Sequence, residues 1–117
     1  AELYVFQRTA GYVVPAQNCP LDKAKSAKVK GRYREFREEA KKTPNGHHPG
    51  VLGIGTRSAL DVSDQERLAE YERRWSHGGL SFLNAFTDLA FNSDANATAS
   101  NFVRAKIHEI VKDPRTA

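Results

Sequence analysis

Residues 3–8, Leu3-Tyr4-Val5-Phe6-Gln7-Arg8, read as a β-strand that nothing else in the chain can pair. The run is apolar, aromatic and β-branched, which suits a strand. A lone strand cannot make a sheet, because its backbone N–H and C=O groups need neighbours. Everything from Asp22 onward has helical or turn character, so the expected fold class is mainly α with one N-terminal strand. The strand's partners are expected in a longer parent protein or in another copy of the chain. The chain of 117 residues holds no methionine and opens almost directly on this strand. Both features point to a piece of something longer.

Four helices are expected. The first spans 22–42, with Val29, Tyr33, Phe36 and Ala40 at spacings of four, three and four, forming one apolar stripe. Gly31 weakens it by about 1 kcal/mol relative to alanine, and Pro44-Asn45-Gly46 ends it. Residues 44–62 form an irregular, glycine-rich stretch long enough to need a functional or packing reason. The second helix spans 64–77. Ser63 and Glu66 have the spacing of a capping box, Leu68, Tyr71 and Trp75 are expected to face inward, and His77-Gly78-Gly79 stops it through a left-handed glycine. A third helix is expected over 80–91, with Leu80, Leu83, Phe86 and Ala90 on one stripe and Phe82 and Leu89 beside it. Ser93 or Asp94 caps a fourth over 94–112, whose inner face is Ala99, Val103, Ile107, Ile110 and Val111. Asp113-Pro114 terminates it.

Composition excludes several classes of function. With 39% hydrophobic and 27% charged residues the chain is globular rather than disordered. No run approaches the roughly 18 apolar residues of a membrane span. The single cysteine, Cys19, cannot form an internal disulfide, in keeping with a reducing, cytoplasmic setting. His47, His48, His77 and His108 lack the spacing of a zinc motif, so no metal is expected. Gly50-Val51-Leu52-Gly53-Ile54-Gly55 has the wrong spacing for a dinucleotide loop and is read as a mobile loop. The formal charge of +4 concentrates on the first helix, in Lys23, Lys25, Lys28, Lys30, Arg32, Arg34, Arg37, Lys41 and Lys42. These cations circle the helix instead of forming a stripe, and Glu35, Glu38 and Glu39 supply partners. A solvated face is therefore favoured over a nucleic-acid or membrane contact.

An ordered set of short segments resembles the type I Baeyer–Villiger monooxygenases. The set starts with Val5-Phe6-Gln7-Arg8-Thr9, Tyr12-Val13-Val14-Pro15-Ala16-Gln17-Asn18 and Pro20-Leu21-Asp22. It continues through Tyr33-Arg34-Glu35-Phe36-Arg37-Glu38-Glu39, Ser58-Ala59-Leu60-Asp61-Val62-Ser63-Asp64 and Trp75 with His77-Gly78-Gly79. Asp94-Ala95-Asn96, Phe102-Val103-Arg104-Ala105-Lys106-Ile107 and Lys112-Asp113-Pro114 complete it. The resemblance implies an α/β parent with two dinucleotide-binding domains, carrying FAD and NADPH. It implies insertion of one oxygen atom from dioxygen next to a ketone carbonyl, giving an ester or lactone. Residues 1–20 would then be a strand and connection from the NADP-binding Rossmann-like domain, and 21–117 a helical insertion. The parent's glycine-rich turn, FAD-binding domain and catalytic arginine are not among these residues, so no catalytic residue is expected here and the isolated chain should be inactive. Its partners would be the rest of the parent, with ketone and dioxygen as substrates. The isolated helices could also self-associate.

Arg8 is the sharpest candidate site residue, with Thr9 and Gln7 beside it. At the end of the second strand of a dinucleotide-binding fold, an acidic residue takes the ribose 2′-hydroxyl of NAD, whereas an arginine accommodates the 2′-phosphate of NADP. Guanidinium matches phosphate oxygens in a two-pronged, charge-assisted contact, and the Thr9 hydroxyl can add another bond. The resemblance implies the same job for these residues, and it places Leu83 near the ketone pocket. The competing reading is a stand-alone basic helical module that binds an acidic partner or nucleic acid.

Overall fold

The computed structural model describes residue 4, residues 13–43, residue 46 and residues 52–113. The expected strand over 3–8 lies outside the described residues apart from Tyr4, as do Gln7, Arg8 and Thr9. The described residues contain no strand and are dominated by helix: α1 Lys23–Gly31, α2 Tyr33–Lys41, α3 Asp64–His77, a 3-10 helix Gly79–Asn84, and α4 Ser93–Ile110. The mainly helical expectation therefore holds, with three local corrections.

The expected first helix, 22–42, is two. Asp22 caps α1 by accepting from the Ala24 and Lys25 N–H groups. Arg32, just after Gly31, leaves the helical basin at φ −118°, ψ 25° and becomes both the end of α1 and the start of α2. A glycine at the junction is a common origin of such a kink. The Arg32 guanidinium then bonds Glu35 at 2.6 Å and reaches Glu39 at 3.8 Å, bracing the first turns of α2. Neither helix buries a residue, and neither packs on α3, α4 or the 3-10 helix. The intended stripe is correspondingly open, with Val29 and Tyr33 exposed and Phe36 and Ala40 half-buried. The radius of gyration, 16.8 Å, exceeds the roughly 13 Å of a compact chain of this length.

The core lies between α3, the 3-10 helix and α4. The capping box at Ser63 is complete, with the Ser63 hydroxyl accepting from the Glu66 N–H and the Glu66 carboxylate from the Ser63 N–H. Tyr71 is the hub, and its ring lies 5.3 Å from Phe82, 5.5 Å from Phe86 and 5.4 Å from Phe102. Its hydroxyl shares a 2.7 Å hydrogen bond with Thr98 on α4, the partner a buried phenol needs. Lys106 on α4 reaches Glu72 on α3 at 2.7 Å, closing the outer edge of the pair.

Two inward faces differ from expectation. On α3, Leu68 is exposed, Trp75 is half-buried, and Arg74 is buried beside Tyr71. On α4, Asn92 is the cap, accepting from the Asp94 and Ala95 N–H groups, in place of Ser93 or Asp94. Ala95, Ala99, Phe102 and Val103 are buried, but Ile107 and Ile110 lie beyond the end of the core and are exposed.

The third correction concerns residues 80–91. Only Gly79–Asn84 is helical, and it is 3-10. The groups that would close an α-helix are taken by α3 and by the loop before it. Ser81 O accepts from Arg74, Asn84 O accepts from the Gly55 N–H at 2.8 Å, and the Thr87 N–H donates to Arg57 O at 3.0 Å. Ala85 N–H falls back on Phe82 O, three residues earlier. Three residues per turn put Phe82 and Ala85 into the core, with Phe86 and Leu89 following. Of the expected stripe only Phe86 is buried, whereas Leu80, Leu83 and Ala90 are exposed.

Gly55 makes this pairing possible, because a Cβ there would stand 2.1 Å from Ala85 O. Gly55→Ala is expected to cost about 1–3 kcal/mol through forced displacement, and Ser63→Ala about 1 kcal/mol through loss of the cap. Urea unfolding followed by circular dichroism should rank the two in that order.

Candidate functional site

The surface around Leu83 is assembled from two distant stretches. Gly78 ends α3 at φ 81°, and Gly79 follows at φ 64°. The chain there turns sharply enough for Pro15 O to accept from the Gly79 N–H at 3.0 Å, while Gln17 Nε2 donates to Trp75 O at 3.3 Å. A Cβ on Gly78 would meet the Gln17 side chain at 2.5 Å and Pro15 O at 2.7 Å, so glycine is needed for both its conformation and its closeness. Ser81 Oγ donates back to Gly78 O at 2.8 Å and tightens the turn.

The result is a recess of about 260 Å³ lined by Val13, Val14, Gly79, Leu80, Phe82 and Leu83. Leu80 and Leu83 are three residues apart on a 3-10 helix, so they point the same way. They stand 60% and 52% exposed, as a pair of apolar side chains over the recess. Phe82 forms its floor, fully buried. No titratable group lines it, so what it can do is bind apolar matter rather than move protons.

The 3-10 helix that carries Leu80 and Leu83 is bonded by Arg74, which is 1% exposed. Its Nε donates to Glu70 at 2.6 Å, and its Nη1 donates to Ser81 O at 2.7 Å and to Gly53 O at 3.1 Å. The same guanidinium reaches Leu52 O at 3.5 Å. A second polar link lies further along. Asp88 accepts from the Ser58 hydroxyl at 2.6 Å and from the Ala59 N–H at 3.0 Å. Burial pushes the Asp88 carboxyl up, but these two bonds and one from its own N–H outweigh it and hold it below the usual carboxylate range. The sequence signalled neither link, since a charged residue at 74 reads as surface and an Asp at 88 as ordinary helix polarity.

Of the expected site residues, Leu83 is placed at the recess, whereas Gln7, Arg8 and Thr9 lie outside the described residues. The glycine-rich stretch read as a mobile loop is, from residue 52 on, tied down by Arg74 and by the Gly55 bond to Asn84. His77, His108 and Cys19 are exposed, and among the described residues no three His, Cys, Asp or Glu side chains cluster as metal ligands. No helix among the described residues is long and apolar enough to cross a membrane. On the basic arm, Arg32 and Lys41 are engaged by Glu35, Glu39 and Glu38.

No protein-family model matches the sequence. Individual proteins do. The chain is 40% identical to a cyclohexanone 1,2-monooxygenase from Acinetobacter sp. over 98% of its own length and 21% of that protein's. It is 35% identical to a Baeyer–Villiger monooxygenase from Pseudooceanicola batsensis over the same shares. In structure it superimposes on an oxidised steroid monooxygenase bound to NADP with a TM-score of 0.77 and 40% identity, covering 94% of this chain and 20% of the other. Fold and sequence together match a helical segment of monooxygenases. More particularly, the homologues at 35–40% identity include cyclohexanone and Baeyer–Villiger monooxygenases, and the chain spans about a fifth of the length of these relatives.

The Asp88 link sets a pH prediction. A carboxyl whose pKa is depressed by folding adds stability that is fully present above its unfolded value, near 4, and is lost as pH falls through the folded value. Thermal melts of the wild-type chain should therefore fall below about pH 4. Asp88→Asn should start lower at neutral pH and show a shallower acid decline; parallel curves would refute the role.

Proposed function

We propose that this chain is the 2′-phosphate-binding edge and ketone-side wall of an FAD- and NADPH-dependent Baeyer–Villiger monooxygenase. The observation that carries the reading is the end-to-end match, in sequence and in fold, to one contiguous fifth of such enzymes. The reaction takes a ketone, dioxygen, NADPH and a proton to an ester or lactone, NADP⁺ and water. One oxygen atom enters the product next to the former carbonyl, and the other leaves as water. Flavin, when bound, supplies the oxygen-insertion chemistry. The chain alone is not catalytic.

Its own residues contribute binding and orientation. Residues 1–20 act as the edge and connection of the NADP-binding domain, and residues 21–117 as its helical insertion. Arg8 clamps the 2′-phosphate, with Thr9 and Gln7 as neighbouring donors. The donor set fits a dianion, because no acidic residue stands between Leu3 and Leu21 to repel it or to prefer a ribose hydroxyl. Leu83, with Leu80 and Val13, forms an apolar wall that receives the ketone's carbon skeleton and excludes water from it. The rest of the enzyme is the chain's partner. Operation in the cytoplasm fits the lone, exposed Cys19.

In the full-length enzyme, Arg8→Ala should raise KM for NADPH by about ten- to a hundredfold, the loss of one charge-assisted bidentate contact, and leave KM for NADH nearly unchanged. Equal effects on both cofactors would remove Arg8 from the phosphate site. Failure of the wild-type enzyme to convert any ketone to an oxygenated product would end the monooxygenase reading.

A further inference from the structure

We propose that Arg74 is a positioning residue for the ketone wall: its buried guanidinium locks Gly79–Asn84 in the 3-10 form and so keeps Leu80 and Leu83 aligned. The proposal rests on the reading that these leucines face the ketone. Three observations carry it. Arg74 is the only charged or polar side chain that is buried among the described residues, at 1% exposure. It spends its donors on three separate pieces of chain: Glu70 one turn back, the loop carbonyl of Gly53, and the Ser81 carbonyl inside the 3-10 helix. Ser81 O is also the acceptor that Ala85 N–H would need to close an α-helical turn, and Ala85 N–H instead bonds Phe82 O at 3.1 Å.

The consequence is geometric. Residues three apart are eclipsed at three residues per turn but diverge by about 60° at 3.6 residues per turn. With Arg74 in place, Leu80 and Leu83 point together over the recess. If Ser81 O were released to Ala85 N–H, the turn could relax toward α-helix and the two leucines would splay. A lysine cannot substitute, since a single ammonium cannot span two carbonyls and a carboxylate held in a planar fork. Removing the guanidinium leaves buried carbonyls seeking other partners, which drives the relaxation.

The test uses the full-length enzyme as wild type, Arg74→Met, Arg74→Lys and Glu70→Gln, assayed with an unsymmetrical cyclic ketone that gives two regioisomeric lactones. Arg74→Met and Arg74→Lys should raise KM for the ketone about tenfold, change the lactone ratio, and leave KM for NADPH within about twofold. Glu70→Gln keeps the shape of a partly buried partner and should fold even where the Arg74 variants do not. It should shift the same two quantities by a smaller amount, about threefold. Hydrogen exchange should show faster amide exchange over residues 81–85 in every variant. A merely structural role would lower the amount of active enzyme while leaving ketone KM and lactone ratio untouched, and that result overturns the proposal. Absence of any lactone from the wild type would instead defeat the monooxygenase reading and take this one with it.

Discussion

The packed core of the described residues is organised around one guanidinium. An arginine withdrawn from water costs several kcal/mol unless its charge and its donors are all answered. Here Glu70 answers the charge, and carbonyls of two chain segments answer the remaining donors. That requirement dictates neighbours. The loop before α3 must come close enough to present Gly53 O, and the segment after α3 must turn back at once to present Ser81 O. Gly78 and Gly79 supply the reversal, and Gly55 supplies the close approach. The aromatic cluster of Tyr71, Phe82, Phe86 and Phe102 gives the hydrophobic driving force, but it is non-directional. The arginine is what specifies which backbone groups meet.

This explains why the same hydrophobic residues take a different face from the one their spacing predicts. In isolation, residues 80–91 satisfy a helical template, and their own hydrogen bonds would be local. In the folded chain, Ser81 O, Asn84 O and the Thr87 N–H are all engaged by groups that lie between residues 53 and 74 in sequence. A side chain and a loop outcompete the local ladder, because a buried cross-chain bond satisfies two groups that would otherwise be stranded. The exposed Leu80–Leu83 pair is a by-product of that competition, and it is the part of the surface to which we assign substrate contact.

The parts of the architecture that were legible in the sequence are those with local causes. The Ser63–Glu66 box, the Gly78 stop and the helical identity of α3 and α4 follow from neighbours within four residues, and they appear as expected. The split at Arg32, the inward Arg74, the outward Leu68 and the 3-10 character of Gly79–Asn84 depend on partners in other elements, or on a propensity balance that a single glycine tips. A pattern reader counts Arg74 as polar and assigns it to water. Leu68 then takes its place on the inner stripe, and the error passes to every contact that stripe would make.

The connection before α1 is held by bonds of the same kind. Pro15 has no N–H to donate, yet its carbonyl is the acceptor that fixes Gly79. Gln17, at φ 53°, holds a backbone conformation that costs a non-glycine residue energy, and its side chain is fastened to Trp75 O. Val14, beside Pro15, packs against the core. The stretch is thus held at three positions, two of them bonded to the end of α3 and its turn, with a strained residue among them. A strained position persists only where its surroundings over-determine it. The connection over residues 13–17 is therefore fixed to the turn that carries Leu83, and Arg74 braces the segment after that turn through Ser81 O.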